Sequence, residues 1–336
     1  MNLPDQPVLS ADAKNKAWTE PAAAKAAVLF IIAIVLGSGL GLAAPRAGEV
    51  LAHGIDATLL AMISLLFIEM RLGAVFKAFG KIRFLAIAWC ANFILVPVIG
   101  FTIASLVVPG QPILFAGLMI YFLAPCTDWF LGFTRMAGGD AELGASLIPI
   151  NLITQLLLFP LWLWLFTKHS GLVDFEAIPG IFAHWFLLPL LAAQALRISL
   201  AYLAPEKLLE GFLDWVGQLI PLVLAALIFQ IFASYIGMIV TGLDVFARIA
   251  LAVFLFFALT FVVGAALARR WELPPPQRTL LSMTMAARNA PLMLALTAIA
   301  IPNQPLILAV IVFGMLVEIP HLTALKQLML KTRDAT

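Results

Sequence analysis

The chain alternates long apolar runs with short polar stretches, and each run has the length of a membrane-crossing helix. A hydrocarbon core about 30 Å thick needs roughly 20 apolar residues in a helix. Such runs fall near 26–44, 55–72, 83–107, 112–136 and 141–167, then near 176–199, 211–240, 245–268, 279–300 and 305–329. The pattern predicts an all-α integral membrane protein with ten transmembrane helices, five in each half of the chain. An odd number per half starts the second half from the opposite side of the membrane, so a structural repeat would be an inverted one. The expected organisation is a tail over 1–25, five-helix repeats over 26–170 and 171–330, and a second tail over 331–336.

The first 25 residues are polar and mixed in charge, with Asp5, Asp12, Lys14, Lys16, Glu20 and Lys25 preceding the first apolar run. They read as a tail near the membrane surface around Trp18, not as a cleavable signal peptide. Composition strengthens the membrane reading: 63% of residues are hydrophobic and 11% charged. A soluble domain carries about 25% charged residues, so this chain lacks the polar surface to cover a water-soluble globule. A net charge of +2 gives no footprint for nucleic acid, and the lipid bilayer is the expected surrounding. Lys and Arg set the orientation. With the N-terminus cytoplasmic, sixteen fall on the cytoplasmic side and only Arg46, Lys168 and Arg248 on the other, while Arg288 lies inside an apolar run. Both termini are therefore expected in the cytoplasm, with the chain multi-pass in the plasma or inner membrane.

The cysteines, Cys90 and Cys126, lie in apolar runs, so neither a disulfide nor a metal site is expected. No zinc-ligand spacing, serine–histidine pattern or glycine-rich phosphate loop points to an enzyme.

Two spans break the apolar pattern. Span four contains Ala124-Pro125-Cys126-Thr127-Asp128-Trp129, and span nine contains Ala287-Arg288-Asn289-Ala290-Pro291. Proline removes an amide donor and crowds the preceding turn. Irregular backbone inside a membrane survives only where protein or water covers it. Each break occupies the fourth span of its half, and paired broken helices point to a binding site between the repeats.

Ionisable groups inside the bilayer are costly and mark functional positions. Asp128, Arg288 and Glu318 all sit within apolar runs. Asp128 and Arg288 either form a buried ion pair that fixes the breaks, or at least one contacts substrate or carries a proton; a pair that opens on binding would do both. Glu318, in Gly314-Met315-Leu316-Val317-Glu318-Ile319-Pro320, is a candidate to bind and release protons, or a hydrogen-bonded glutamate holding helices together. Glu69 and Arg71 read as an interfacial pair. Asn151, Thr154 and Gln155 either line a cavity or join helices. His184 and His321 offer no ligand spacing. Cys126 is a small buried hydrophobe or, given Pro125 and Asp128 beside it, a thiol facing a soft, thiophilic solute.

At these residues the sequence resembles a known family. Ala124-Pro125-Cys126-Thr127, then Gly139-Asp140, then Ile150-Asn151-Leu152-Ile153 resemble the arsenite permeases of the arsenical-resistance branch of the bile acid:sodium symporter superfamily. Gly314 to Pro320 is similar to that branch's signature in span ten, and a weaker similarity runs over the whole length. The resemblance implies discontinuous helices in spans four and nine, crossing between inverted repeats. It also implies a core of spans three to five and eight to ten, with a panel of spans one, two, six and seven that rocks for alternating access. It implies proton antiport, and it marks Cys126 and Glu318.

There are departures. The permeases' span-nine glutamate falls at Pro291, and a cation, Arg288, enters the site with Asp128 as a candidate counter-charge. Positions that carry sodium ligands in the symporters are Phe130, Leu131 and Thr284 here, so sodium coupling is not expected. The function expected is proton-coupled efflux of arsenite, antimonite or a related small solute, driven by the proton gradient without a cofactor. The substrate-binding candidates are Cys126, Thr127, Asp128, Arg288, Asn289 and Asn151, and the proton-coupling candidates are Glu318 and Asp128. The alternative is a sodium-independent carrier of a small organic anion, with Arg288 holding a carboxylate. A passive channel would instead show flux without saturation.

Overall fold

A computed structural model describes residues 20–69, 81–127, 129–167, 180, 183, 187–240, 243–301 and 304–334. The described regular structure is helical. In chain order the helices are α1 (Glu20–Ala43), α2 (Pro45–Ala52), α3 (Ile55–Glu69), α4 (Ile82–Val107), α5 (Pro112–Leu123), α6 (Trp129–Met136) and α7 (Ala141–Thr167). They continue with α8 (Leu188–Leu203), α9 (Glu206–Val240), α10 (Leu243–Arg270), α11 (Pro275–Ala286), α12 (Ala290–Ala300) and α13 (Pro305–Asp334). Each predicted apolar run holds a described helix. Among the described residues, five helices are long and apolar enough to cross a membrane, or six if the pair Val28–Ala43 and Pro45–Ala52, bent by 120°, counts as one span.

The helix boundaries follow local chemistry. Gly138, at φ 71°, ends α6, with Gly139 N–H bonded to Thr134 O and Gly138 N–H to Arg135 O. This is the left-handed glycine cap that satisfies the last carbonyls of a helix. Asp140 then caps α7 through Leu143 N–H (3.0 Å) and pairs with Lys81 at 3.0 Å. Inside α4, Pro97 cannot donate to Phe93 O, and the turn just before it, Ala91–Leu95, widens to a π-helical one. Such wide turns often sit at functional positions, and this one carries Asn92.

Contacts divide the chain into two units, one within Met1–Met70 and Phe175–Ile236, the other within Arg71–Asp174 and Gly237–Thr336. Each draws on both halves of the sequence. In the first, α1, α2 and α9 meet backbone to backbone. A Cβ at Gly37 would strike Phe229 O, and one at either Gly41 or Gly48 would strike Ala233 O. Small residues that allow such approach are the usual contact of helices in lipid. In the same unit, Gln194 and Arg197 from α8 donate to Phe67, Ile68 and Glu69 carbonyls at the end of α3, placing amide and cation on its negative end. In the second unit α5 packs along α13, and Gly314 lies where any Cβ would meet the Tyr121 ring.

Gly41→Val is expected to cost about 1–3 kcal/mol by overpacking, read as a lower melting temperature in detergent. Gly39→Ala, at a position with open space around it, should melt like the unmodified protein.

Candidate functional site

Both predicted breaks are present, and both lie in the second unit. Helix α5 stops at Leu123 and α6 starts at Trp129; α11 stops at Ala286 and α12 starts at Ala290. The two irregular segments pair as a minimal antiparallel bridge centred on Pro125 and Arg288. Cys126 N–H donates to Ala287 O at 3.0 Å, and Asn289 N–H donates to Ala124 O at 2.8 Å. In this kind of pair the central residues do not use their own amides in the ladder. Proline, which has no amide to offer, therefore fits at 125 without loss. Arg288 N–H is left to find another acceptor, and it donates to Glu318 Oε1 at 2.9 Å.

The diverted amides leave carbonyls behind. In an unbroken helix, Cys126, Arg288 and Asn289 would donate to Phe122, Thr284 and Met285, four residues earlier in each case. The Arg288 guanidinium supplies all three missing donors. Nη1 reaches Phe122 O at 2.9 Å, and Nη2 reaches Thr284 O and Met285 O at 2.8 Å each. Nη2 is also 3.5 Å from Asn92 Oδ1, and the group lies over the Phe256 ring, 5.6 Å from its centroid. The side chain is fully buried at 0% exposure. One cation thus closes the C-terminal ends of two half-helices, where backbone dipoles concentrate negative potential.

The other polar groups tie neighbouring segments of this arrangement together. Asn289 Oδ1 accepts from Leu292 N–H, capping α12, while its Nδ2 donates to Thr127 Oγ1 at 3.2 Å. Tyr121 places its hydroxyl 2.9 Å from Gly314 O and 3.2 Å from Glu318 Oε2. A phenol has one hydrogen, so it chooses between those acceptors. Cys126 is a buried thiol on the break itself, outside any disulfide. Behind Arg288, Thr284 Oγ1 receives Asn92 Nδ2 at 3.0 Å and Asn151 Nδ2 at 3.5 Å. Gln155, one turn along α7 from Asn151, is fully buried. Asn151 Oδ1, both amide atoms of Gln155 and Arg288 Nε are buried with no hydrogen-bond partner among the described residues. A buried amide left unmatched costs about 1–3 kcal/mol, so these atoms are candidates to meet a polar partner.

The structure brings Cys126, Thr127, Arg288, Asn289 and Glu318 into one bonded set, with Asn151 joined through Thr284. Asp128 lies outside the described residues, and with it the expected pairing with Arg288; Arg71 and His184 lie outside them too. Thr154 accepts from Trp89 Nε1 at 3.1 Å, an interhelical bond, and His321 stacks on Phe257 at 4.0 Å. Asn92 and Tyr121 were not among the sequence candidates. Each is a polar group inside an apolar run, the signal that singled out Asn151, and either could have been found by it.

Broken helices in an apolar chain, bonded to each other through their irregular backbone, define a membrane transporter rather than an enzyme. The chain belongs to the sodium bile acid symporter family, whose pattern matches residues 57–242, more than half its length. It is also similar to the arsenical-resistance protein Acr3 of Corynebacterium glutamicum, at 26% identity over 254 residues, covering 71% of this chain and 68% of that one.

Glu318→Leu strands the Arg288 amide and is expected to cost about 1–3 kcal/mol, whereas Glu318→Gln keeps an acceptor and should lose less. Asn289→Ala should cost about 1 kcal/mol through the lost cap. Thermal unfolding in detergent measures all three.

Proposed function

We propose that this chain is a secondary active transporter that exports arsenite, antimonite or a related small hydroxylated solute by alternating access, in exchange for protons. It works in the plasma or inner membrane, with ten spans and both termini in the cytoplasm. The two interleaved units support a core and a panel, each assembled from both repeats. The observation that carries the substrate reading is the Cys126 thiol, buried at the point where the two broken helices bond. A thiol is a soft ligand for a metalloid. The similarity to an arsenical-resistance protein supports the same choice.

The surrounding chemistry favours a neutral solute over an anion. Arg288 commits its terminal nitrogens to Phe122, Thr284 and Met285 carbonyls, and Nε has no partner among the described residues. A carboxylate held by both terminal nitrogens would have to displace helix-end carbonyls. A trihydroxylated solute instead offers donors and acceptors to Asn151 and Gln155, and soft affinity to Cys126. Thr127, Asn289 and Asp128 complete the proposed binding set.

Glu318 is the proposed proton carrier, with Asp128 a second candidate. When ionised, Glu318 accepts from Tyr121. When protonated, it donates to the Tyr121 oxygen while Tyr121 turns its hydrogen to Gly314 O. Because Glu318 also holds the Arg288 amide, each change of protonation acts directly on the paired breaks.

The test is metalloid accumulation in cells stripped of their own arsenite exporters. The unmodified chain should lower intracellular arsenite or antimonite several-fold, and Cys126→Ser, confirmed in the membrane, should lose that effect. No difference between the unmodified chain and empty vector would reject metalloid export. Retained uptake of small organic anions in the same cells would then favour the carboxylate alternative.

A further inference from the structure

Carriers with broken helices hold their coupling cation on unwound backbone carbonyls and on the C-terminal ends of half-helices. In this chain three carbonyls of that description and one side-chain amide oxygen converge on a single guanidinium. Phe122 O belongs to the last turn of α5, Thr284 O and Met285 O to the last turn of α11, and Asn92 Oδ1 to the wide turn of α4. What they surround is a cation covalently attached to the chain. We propose that Arg288 is a resident cation that takes the place of a dissociable monovalent coupling ion, so that both breaks assemble without sodium. Removing the side chain should uncover a binding site for a free monovalent cation.

The geometry supports this more strongly than a simple helix cap. A cap answers the orphan carbonyls of one helix; this guanidinium answers two half-helices from different repeats and thereby fixes one to the other. Its plane also lies over Phe256, whose ring face attracts a cation, and Phe256 is in turn stacked on Phe122 at 4.1 Å. The site is therefore a water-excluded cradle with oxygen dipoles on one side and an aromatic face on the other. Rings of carbonyl oxygens can stand in for the hydration shell of a monovalent ion. A free guanidinium ion matches the vacated fork best; sodium matches the charge alone. Lysine at 288 would keep the charge but present a compact ammonium in place of a planar fork.

The proposal rests on the carrier reading only for its transport consequence; its stability consequence holds whatever solute is moved. The experiment is thermal unfolding of the full chain in detergent, at constant ionic strength, in choline, sodium, potassium and low-millimolar guanidinium chloride. The unmodified protein should melt at the same temperature in all four. Arg288→Ala should melt lower in choline and recover by about 3 °C or more, with a saturating dose dependence, in guanidinium and to a smaller extent in sodium. An Arg288→Ala protein that melts identically in every salt would overturn the proposal, as would an unmodified protein stabilised by sodium. Should Arg288→Ala not accumulate in folded form, Arg288→Lys and Arg288→Met decide the matter. The lysine variant should be the more stable and insensitive to sodium, and equal loss in both would refute a role for the charge. A sodium-independent melt with no metalloid export would leave the resident cation standing and reject the substrate.

Discussion

Backbone groups that cannot reach water must find partners in protein, and this constraint shapes every part of the site. At the two breaks, the amides of Cys126, Arg288 and Asn289 leave their own helices. Two of them bond the opposite break and the third goes to Glu318. The carbonyls they abandon would be intolerable inside an apolar chain, and the Arg288 guanidinium takes them all. Proline at 125, arginine at 288 and glutamate at 318 are three solutions to one accounting problem. Removing the guanidinium or the acceptor oxygen at 318 reopens it.

The same set of bonds links chemistry to conformation. Glu318 holds a backbone amide of the break, so a proton arriving there is felt by the backbone and not only by neighbouring side chains. Cys126 is placed by its own amide on Ala287, which ties it to the opposite break. A solute bound by that thiol would sense the relation of one half-helix to the other. The proposed proton carrier and the proposed solute ligand thus each hold a bond to the same short bridge, a direct way to couple them.

Much of this was legible in the sequence, and the rest was hidden for a physical reason. Apolar run length located the helices, and helix-breaking residues located both interruptions. Pro291, however, sits in the first turn of α12, where proline begins a helix comfortably; the interruption itself falls at Ala287 to Asn289. Arg288 was visible as a buried charge, yet its described partners are main-chain carbonyls, which every residue carries and no letter announces. Asp128 drew attention because side-chain charge is the only kind a sequence displays. Gly139-Asp140 stood out by resemblance alone, and its part in the fold is a plain one, closing one helix and capping the next. Asn92 was legible as a polar residue in an apolar run, whereas the widened turn that carries it is encoded by no propensity at a single position.

The glycine contacts of the first unit bear on how the protein is made. Gly37 meets a helix at Phe229, 192 residues further along the chain. At synthesis rates of about 5–20 residues per second, roughly ten to forty seconds separate the two on the ribosome. During that interval the Gly37–Gly48 face is without its partner helix, and it must tolerate another environment before it meets α9. A groove without side chains suits such a wait, since acyl chains can fill it and later be displaced without any rotamer having to change.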